Sequence, residues 1–150
     1  MKLLIQRCAR AQVLVDSQVI GQINRGLAVF IGVAAGDTLE VARKLAAKVA
    51  ALRIFSNEEG RFDLSVQQIG GSVLLVSNFT LCGDARKGAR PSFSSAARPQ
   101  EAQVLVESFA TLLREQGLEV AEGRFGADMQ VLVENDGPVC LLLESQRPLE

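Results

Sequence analysis

The side chains able to do chemistry gather in three short runs. Ser77-Asn78-Phe79-Thr80-Leu81 puts two hydroxyls and an amide at the end of a strongly apolar stretch. A rigid strand giving way to a loop is a common place for functional groups. The bland alternative is a strand end whose hydroxyls cap stray backbone groups. Asn135-Asp136-Gly137-Pro138-Val139-Cys140 combines a turn signature with a Gly-Pro bond, a candidate for the cis form adopted by only about 5–6% of X-Pro bonds. Read locally, it is a hairpin turn between two strands. Gly83 to Arg98 sets Arg86, Lys87, Arg90 and Arg98 against the single acid Asp84, a net +3, with Phe93 among Ser92, Ser94 and Ser95. A cationic, Ser-rich loop with one aromatic suits phosphate contact and base stacking. It equally suits plain solvated charge.

What is missing narrows the chemistry further. With no His, Tyr or Trp in the chain, Ser-His-Asp and Cys-His relays and His-metal sites are excluded for want of the base or ligand. Cys8, Cys82 and Cys140 are far apart and odd in number, which argues for reduced thiols acting as small hydrophobes. A Cys140 nucleophile would lack the usual imidazole that lowers a thiol pKa. Neither a Walker A loop nor a G-x-G-x-x-G fingerprint is present, so NTP and dinucleotide chemistry is disfavoured. The expectation is an absence of cofactor and metal. Sixteen Lys+Arg against 17 Asp+Glu leave a net charge of −1, so nucleic-acid binding must come from a local patch. No segment approaches the roughly 18 apolar residues of a membrane span and the N-terminus has no signal layout, which sets cytoplasmic as the expected address.

The elements that must position these runs follow from periodicity. A chain of 150 residues, 48% hydrophobic, fits one domain over 1–150 with the last few residues as a tail, burying roughly 70% of its unfolded surface. Lys2 to Cys8 reads as a strand, and 11–15 with 19–23 as a hairpin about Asp16-Ser17-Gln18. Leu27 to Val33 is an apolar run short enough for a buried strand. Asp37 with Glu40 three residues on forms a capping-box pattern, followed by Val41, Leu45, Val49 and Leu52 on one helix face. Arg53 to Phe55 reads as a short strand ending in the turn 57–60, and Ser72 to Leu81 as a long one. Pro99 fits N1 of a second helix beside Arg98, with Val104, Val106, Phe109, Leu112 and Leu113 apolar and Gly117 as its stop. Residues 118–121, 129–133 and 138–143 close the chain as three strands. The sum is an α+β single domain, a mixed, barrel-like sheet with two main helices.

In one register from Met1 to about Leu143, the chain closely resembles the bacterial D-aminoacyl-tRNA deacylase family. The likeness runs through Leu4-Ile5-Gln6-Arg7, Arg53-Ile54-Phe55, Arg86-Lys87-Gly88 with Arg90-Pro91-Ser92-Phe93-Ser94, and Gly123 to Val131. The family's Ser-Gln-x-x-Leu motif stands here as Ser77-Asn78-Phe79-Thr80-Leu81, and its Asn-x-Gly-Pro-x-Thr motif as Asn135 to Cys140. Asn78 and Cys140 replace Gln and Thr. The resemblance implies a homodimeric hydrolase that acts at the 3′ end of aminoacyl-tRNA, with no DNA or membrane partner. Ser77, Asn78, Phe79, Thr80 and Cys140 would be catalytic. The tRNA 2′-hydroxyl would assist hydrolysis while backbone N–H groups near Phe79 stabilise the oxyanion. A cis Gly137-Pro138 from the other subunit would reject L side chains by clash and partly admit glycine. Arg7, Phe125, Met129, Asn135, Arg86, Lys87 and Arg90 would bind substrate or hold the motif. The two departures motivate a runner-up, an impaired homologue that still binds tRNA ends; a Cys140-dependent hydrolase is the third reading.

Overall fold

A computed structural model describes residues 1–145; the expected C-terminal tail lies outside them. The scaffold is a sheet ordered β2(Gln18–Ile23), β1(Lys2–Val15), β3(Gly26–Gly32), β6(Ser72–Ser77), β7(Glu119–Glu122), with β8(Gln130–Glu144) also paired to β1. β1 pairs antiparallel with β2, β3 and β8, whereas β3–β6 and β6–β7 are parallel. Parallel neighbours need long crossovers. α1(Leu39–Ala51) with the small hairpin β4(Phe55–Ser56)–β5(Phe62–Leu64) supplies the first, and α2(Pro99–Glu115) the second. The sheet curls until β2 nears β7: a Cβ on Gly21 would stand 2.6 Å from the Glu122 carbonyl oxygen, so only glycine lets these edges approach. The sheet is therefore mixed and nearly barrel-shaped, with two helices, as the sequence reading expected.

Two apolar clusters follow from strand alternation. Leu27, Val29 and Ile31 of β3, with Leu3 and Ile5 of β1, face α1 and α2, whose Ala42, Leu45, Ala46, Val49, Val106, Phe109 and Leu113 pack against them. Ala28, with Val13, Leu74 and Val76, points the other way into the curled sheet.

Several element boundaries depart from the sequence expectation. Thr38, not Asp37, caps α1, its hydroxyl accepting the Val41 N–H at 3.3 Å. The Asp37 carboxylate is engaged elsewhere, by the N-terminal ammonium at 2.5 Å and the Ala34 N–H at 2.7 Å. Val104 is solvent-exposed rather than on the buried face of α2. The strand expected at 53–55 starts only at Phe55, because Arg53 turns out to bind Asp63 across the hairpin. The strand expected to run to Leu81 stops at Ser77, where Phe79–Cys82 winds into a 3-10 turn.

The last two expected strands are one, β8, and Asn135–Cys140 is no hairpin turn. Gln6 pairs with Cys140 and Cys8 with Asn135, so one β1 residue, Arg7, lies opposite residues 136–139 of β8. The loop is an outpouching of a continuous strand, not a reversal. Among the described residues no helix is long and apolar enough to cross a membrane.

Candidate active site

Because β3 and β6 are parallel, with Ile31 beside Ser77, their carboxyl ends open side by side, the usual place for a site on parallel strands. A cavity of about 670 Å³ sits there. Phe30, Val76, Ser77 and Val131 line it from the strands, Ala102 and Val106 from α2, and Asn78, Phe79, Thr80, Phe125 and Met129 from the turns and connections between them. Phe79 and Phe93 meet at its rim edge to face, 5.2 Å between ring centroids. Phe93 is fixed because its segment is laced to the β3 end: Ala97 N–H donates to the Val33 carbonyl, Ala35 N–H to that of Ser95, and Ser95 Oγ to that of Cys82.

The strand end beneath this rim is held by its backbone. Asn78 N–H donates to the Ile31 carbonyl at 2.8 Å, and the first bond of the 3-10 turn runs from Leu81 N–H to the Asn78 carbonyl. The N–H groups of Phe79 and Thr80 precede that bond and so stand at the open end of the turn, where helical donors lack internal partners. The Thr80 hydroxyl donates to Asn78 Oδ1, folding the short amide back on its own turn.

A second cluster forms around the β8 outpouching. Asn135 Oδ1 accepts the Val139 N–H at 3.1 Å, while Nδ2 donates to the Val139 carbonyl at 3.1 Å and to Gln6 Oε1 at 3.2 Å. Asn135 thus staples the loop shut. Inside it the Gly137-Pro138 peptide is cis. Gly137 has φ +151°, and a Cβ there would meet Val139 N at 2.6 Å. Nearly buried Arg7 fills the space beneath, Nε donating to the Asp136 carbonyl at 2.9 Å and Nη1 to that of Ile54 at 2.8 Å. Among the described residues Cys140 Sγ receives the Asn135 amide, at 3.4 Å; neither Asn135 nor the cross-strand neighbour Gln6 can serve as a base. Burial pushes the Cys8 thiol up to about 11, which keeps it neutral and inert.

The basic loop is a hairpin closed between Asp84 and Ser92. Arg86 clamps Asp84 with Nε at 2.9 Å and Nη2 at 2.7 Å. Those hydrogen bonds, aided by the opposite charge, hold the Asp84 carboxyl well below its usual range and raise Arg86. Lys87 and Arg90 form no ion pair among the described residues, so they carry the outward charge.

Of the residues singled out in the sequence, one cavity unites Ser77, Asn78, Phe79, Thr80, Phe125 and Met129. Arg7, Asn135, Gly137, Pro138 and Cys140 form the separate loop cluster and do not line that cavity, nor do Arg86, Lys87 and Arg90. Phe30 on the floor and Asp128 on the rim were not singled out. Phe30 hides within an apolar run, and Asp128 was visible only as the lone acid in Gly123 to Val131. Among the described residues no cluster of His, Cys, Asp or Glu could hold a metal.

Comparison with known proteins gives a consistent family. The family model described as D-Tyr-tRNA(Tyr) deacylase matches residues 4–144. The D-aminoacyl-tRNA deacylase of Anaeromyxobacter dehalogenans is 54% identical over 147 residues, 98% of this chain and 99% of that one. A solved structure titled c-Myc DNA Unwinding Element Binding Protein superposes with a TM-score of 0.91 at 37% identity, covering 98% of this chain and 100% of the other. A second, described as a probable eukaryotic D-amino acid tRNA deacylase, shares the fold with a TM-score of 0.81 at 18% identity, covering 95% and 97%.

Proposed function

The chain belongs to the D-Tyr-tRNA(Tyr) deacylase family, and from that premise we propose that it hydrolyses the ester of D-aminoacyl-tRNA, releasing the D-amino acid and free tRNA. The observation that carries this reading is the convergence of Ser77 to Thr80, Phe125 and Met129 on one cavity at the parallel strand ends. The aminoacyl group enters that cavity, and the terminal adenosine rests at the rim of Phe79 and Phe93, where rings offer stacking surface.

Hydrolysis adds water to the ester carbonyl carbon and breaks its bond to the ribose oxygen, which leaves with a proton. The N–H groups at the open end of the 3-10 turn receive the negative charge that develops on the carbonyl oxygen; one such donor typically lowers a barrier by ~3–4 kcal/mol. The tRNA 2′-hydroxyl assists the proton transfer. Holding the ester against these donors contributes the rest through orientation. A site made of main-chain donors is compatible with a chain that has no histidine.

Stereoselectivity belongs to the second cluster. Gly137 and Pro138 do not reach the cavity of their own chain, so a second copy delivers them, and the enzyme works as a homodimer. Their backbone occupies the space an L side chain needs; glycine, lacking one, is partly hydrolysed as glycyl-tRNA.

The test is hydrolysis of matched D-Tyr-tRNA and L-Tyr-tRNA by the purified protein, with glycyl-tRNA alongside. Rapid loss of the D ester with the L ester untouched is expected. Binding of tRNA with neither ester cleaved would overturn the reading in favour of an impaired tRNA-end binder.

A further inference from the structure

Phe62 sits on the β4–β5 hairpin, opposite Ser56, and is 57% exposed. One face of its ring lies against the Arg7 guanidinium, 5.5 Å from Cζ to the ring centroid. That distance is within the range where a cation is drawn to the negative face of an aromatic ring, more strongly as water is excluded. Arg7 is no ordinary surface cation. Its side chain is 11% exposed, and it ties two elements together, the Ile54 carbonyl before β4 and the Asp136 carbonyl in the β8 outpouching. Its Nε also faces the half-exposed Asp136 carboxylate at 3.4 Å. The elements therefore stack as ring, guanidinium and loop, with Phe62 on the solvent side.

We propose that Phe62 is a positioning residue for the loop that bears Gly137 and Pro138: its ring holds and shields the Arg7 guanidinium, and thereby fixes the loop that rejects L substrates. The inference rests on the function proposed above. A ring over Arg7 keeps water from competing for its N–H groups, and hydrogen bonds donated by a cation strengthen as the local dielectric falls. Without the ring Arg7 gains hydration, its hold on the Asp136 carbonyl loosens, and the Gly137-Pro138 backbone samples positions that admit an L side chain.

The experiment compares wild type with Phe62→Ala, Phe62→Leu and Phe62→Tyr. Two readouts are taken on each protein, the ratio of L-Tyr-tRNA to D-Tyr-tRNA hydrolysis rates and the exchange rate of the Arg7 Nε–H by NMR. In the Ala and Leu variants both are expected to rise about 3- to 30-fold, the range of a cation–ring contact between exposed and desolvated settings. Tyr, which keeps the ring, restores both. An unchanged ratio in the Ala and Leu variants overturns the proposal. So does a wild-type ratio in the Leu variant, which would make apolar cover sufficient, and so does a parallel fall of both rates, which would make Phe62 a substrate contact. If wild type cleaves neither ester, the functional reading has failed and the claim about L rejection falls with it. Exchange then judges the Arg7 restraint alone, and unchanged exchange overturns that too.

Discussion

At the scale of single residues, the informative position is Asn78. Its side-chain Oδ1 is already occupied by the Thr80 hydroxyl, and its side chain is one methylene shorter than the family's Gln. A Gln would carry its amide that much further into the cavity while the backbone bond to Ile31 holds the turn unchanged. One hydrogen bond is worth about 0.5–1.5 kcal/mol net, so Asn78→Gln is expected to raise kcat/KM for D-Tyr-tRNA roughly 3- to 10-fold. An unchanged value would place the rate limit away from this side chain. Asn78 and Gly137 are legible in the sequence because a polar amide ending an apolar strand and a glycine before proline are unusual where they fall, whereas Arg7 is marked only by the family resemblance. Phe30 and Phe62 were not: an aromatic inside an apolar run, or just after a turn, bears no local mark of the cavity or guanidinium it meets. Those contacts join β3 to β8 and β5 to β1, and only the folded topology brings these together.

At the scale of elements, both helices could be read from their apolar spacing, and Pro99 and Gly117 bracket α2 as their backbone preferences require. The error at Asn135–Gly137 has a physical source. Turn-forming residues mark where a chain leaves regular geometry, not whether it then reverses, and here β8 rejoins the same neighbour, β1. The basic loop had a similar ambiguity. Its net +3 is real, but Arg86 is committed to Asp84, which leaves that charge on Lys87, Arg90 and Arg98; Lys87 and Arg90 lie within the hairpin closed by Asp84 and Ser92 and are the two offered to phosphate. Removing either, as Lys87→Ala or Arg90→Ala, is expected to weaken tRNA binding. Each should also reduce the slope of log Kd against log salt by about 0.7–1, one phosphate contact apiece. Binding titrations at several salt concentrations check this; identical slopes for wild type and variants would remove the loop from the tRNA interface.

At the scale of the whole molecule, β8 poses a problem that one chain does not solve. Among the described residues its only strand partner is β1, so 15 residues of backbone present a second, unpaired edge. Its outward side chains include Leu132, 51% exposed, Leu142, 71% exposed, and Pro138 and Cys140. Natural sheets blunt or cover such edges, because exposed N–H and C=O rows with apolar side chains recruit other strands. The loop proposed to reject L substrates lies on this same strand, outside the cavity of its own chain. A twofold pairing of copies through this face would cover the edge and bring each Gly137-Pro138 segment to the other copy, since a twofold interface makes every contact reciprocal. The wild-type protein is therefore expected to sediment at twice the 16.1 kDa chain mass. Leu142→Lys, which puts a charge on the face, should shift it to monomer and raise the ratio of L to D ester hydrolysis at least about tenfold, the loss of roughly 1.4 kcal/mol of discrimination. Monomeric wild type that still rejects the L ester would mean that the loop serves its own chain. The separation of the two clusters would then have to close by movement within one subunit.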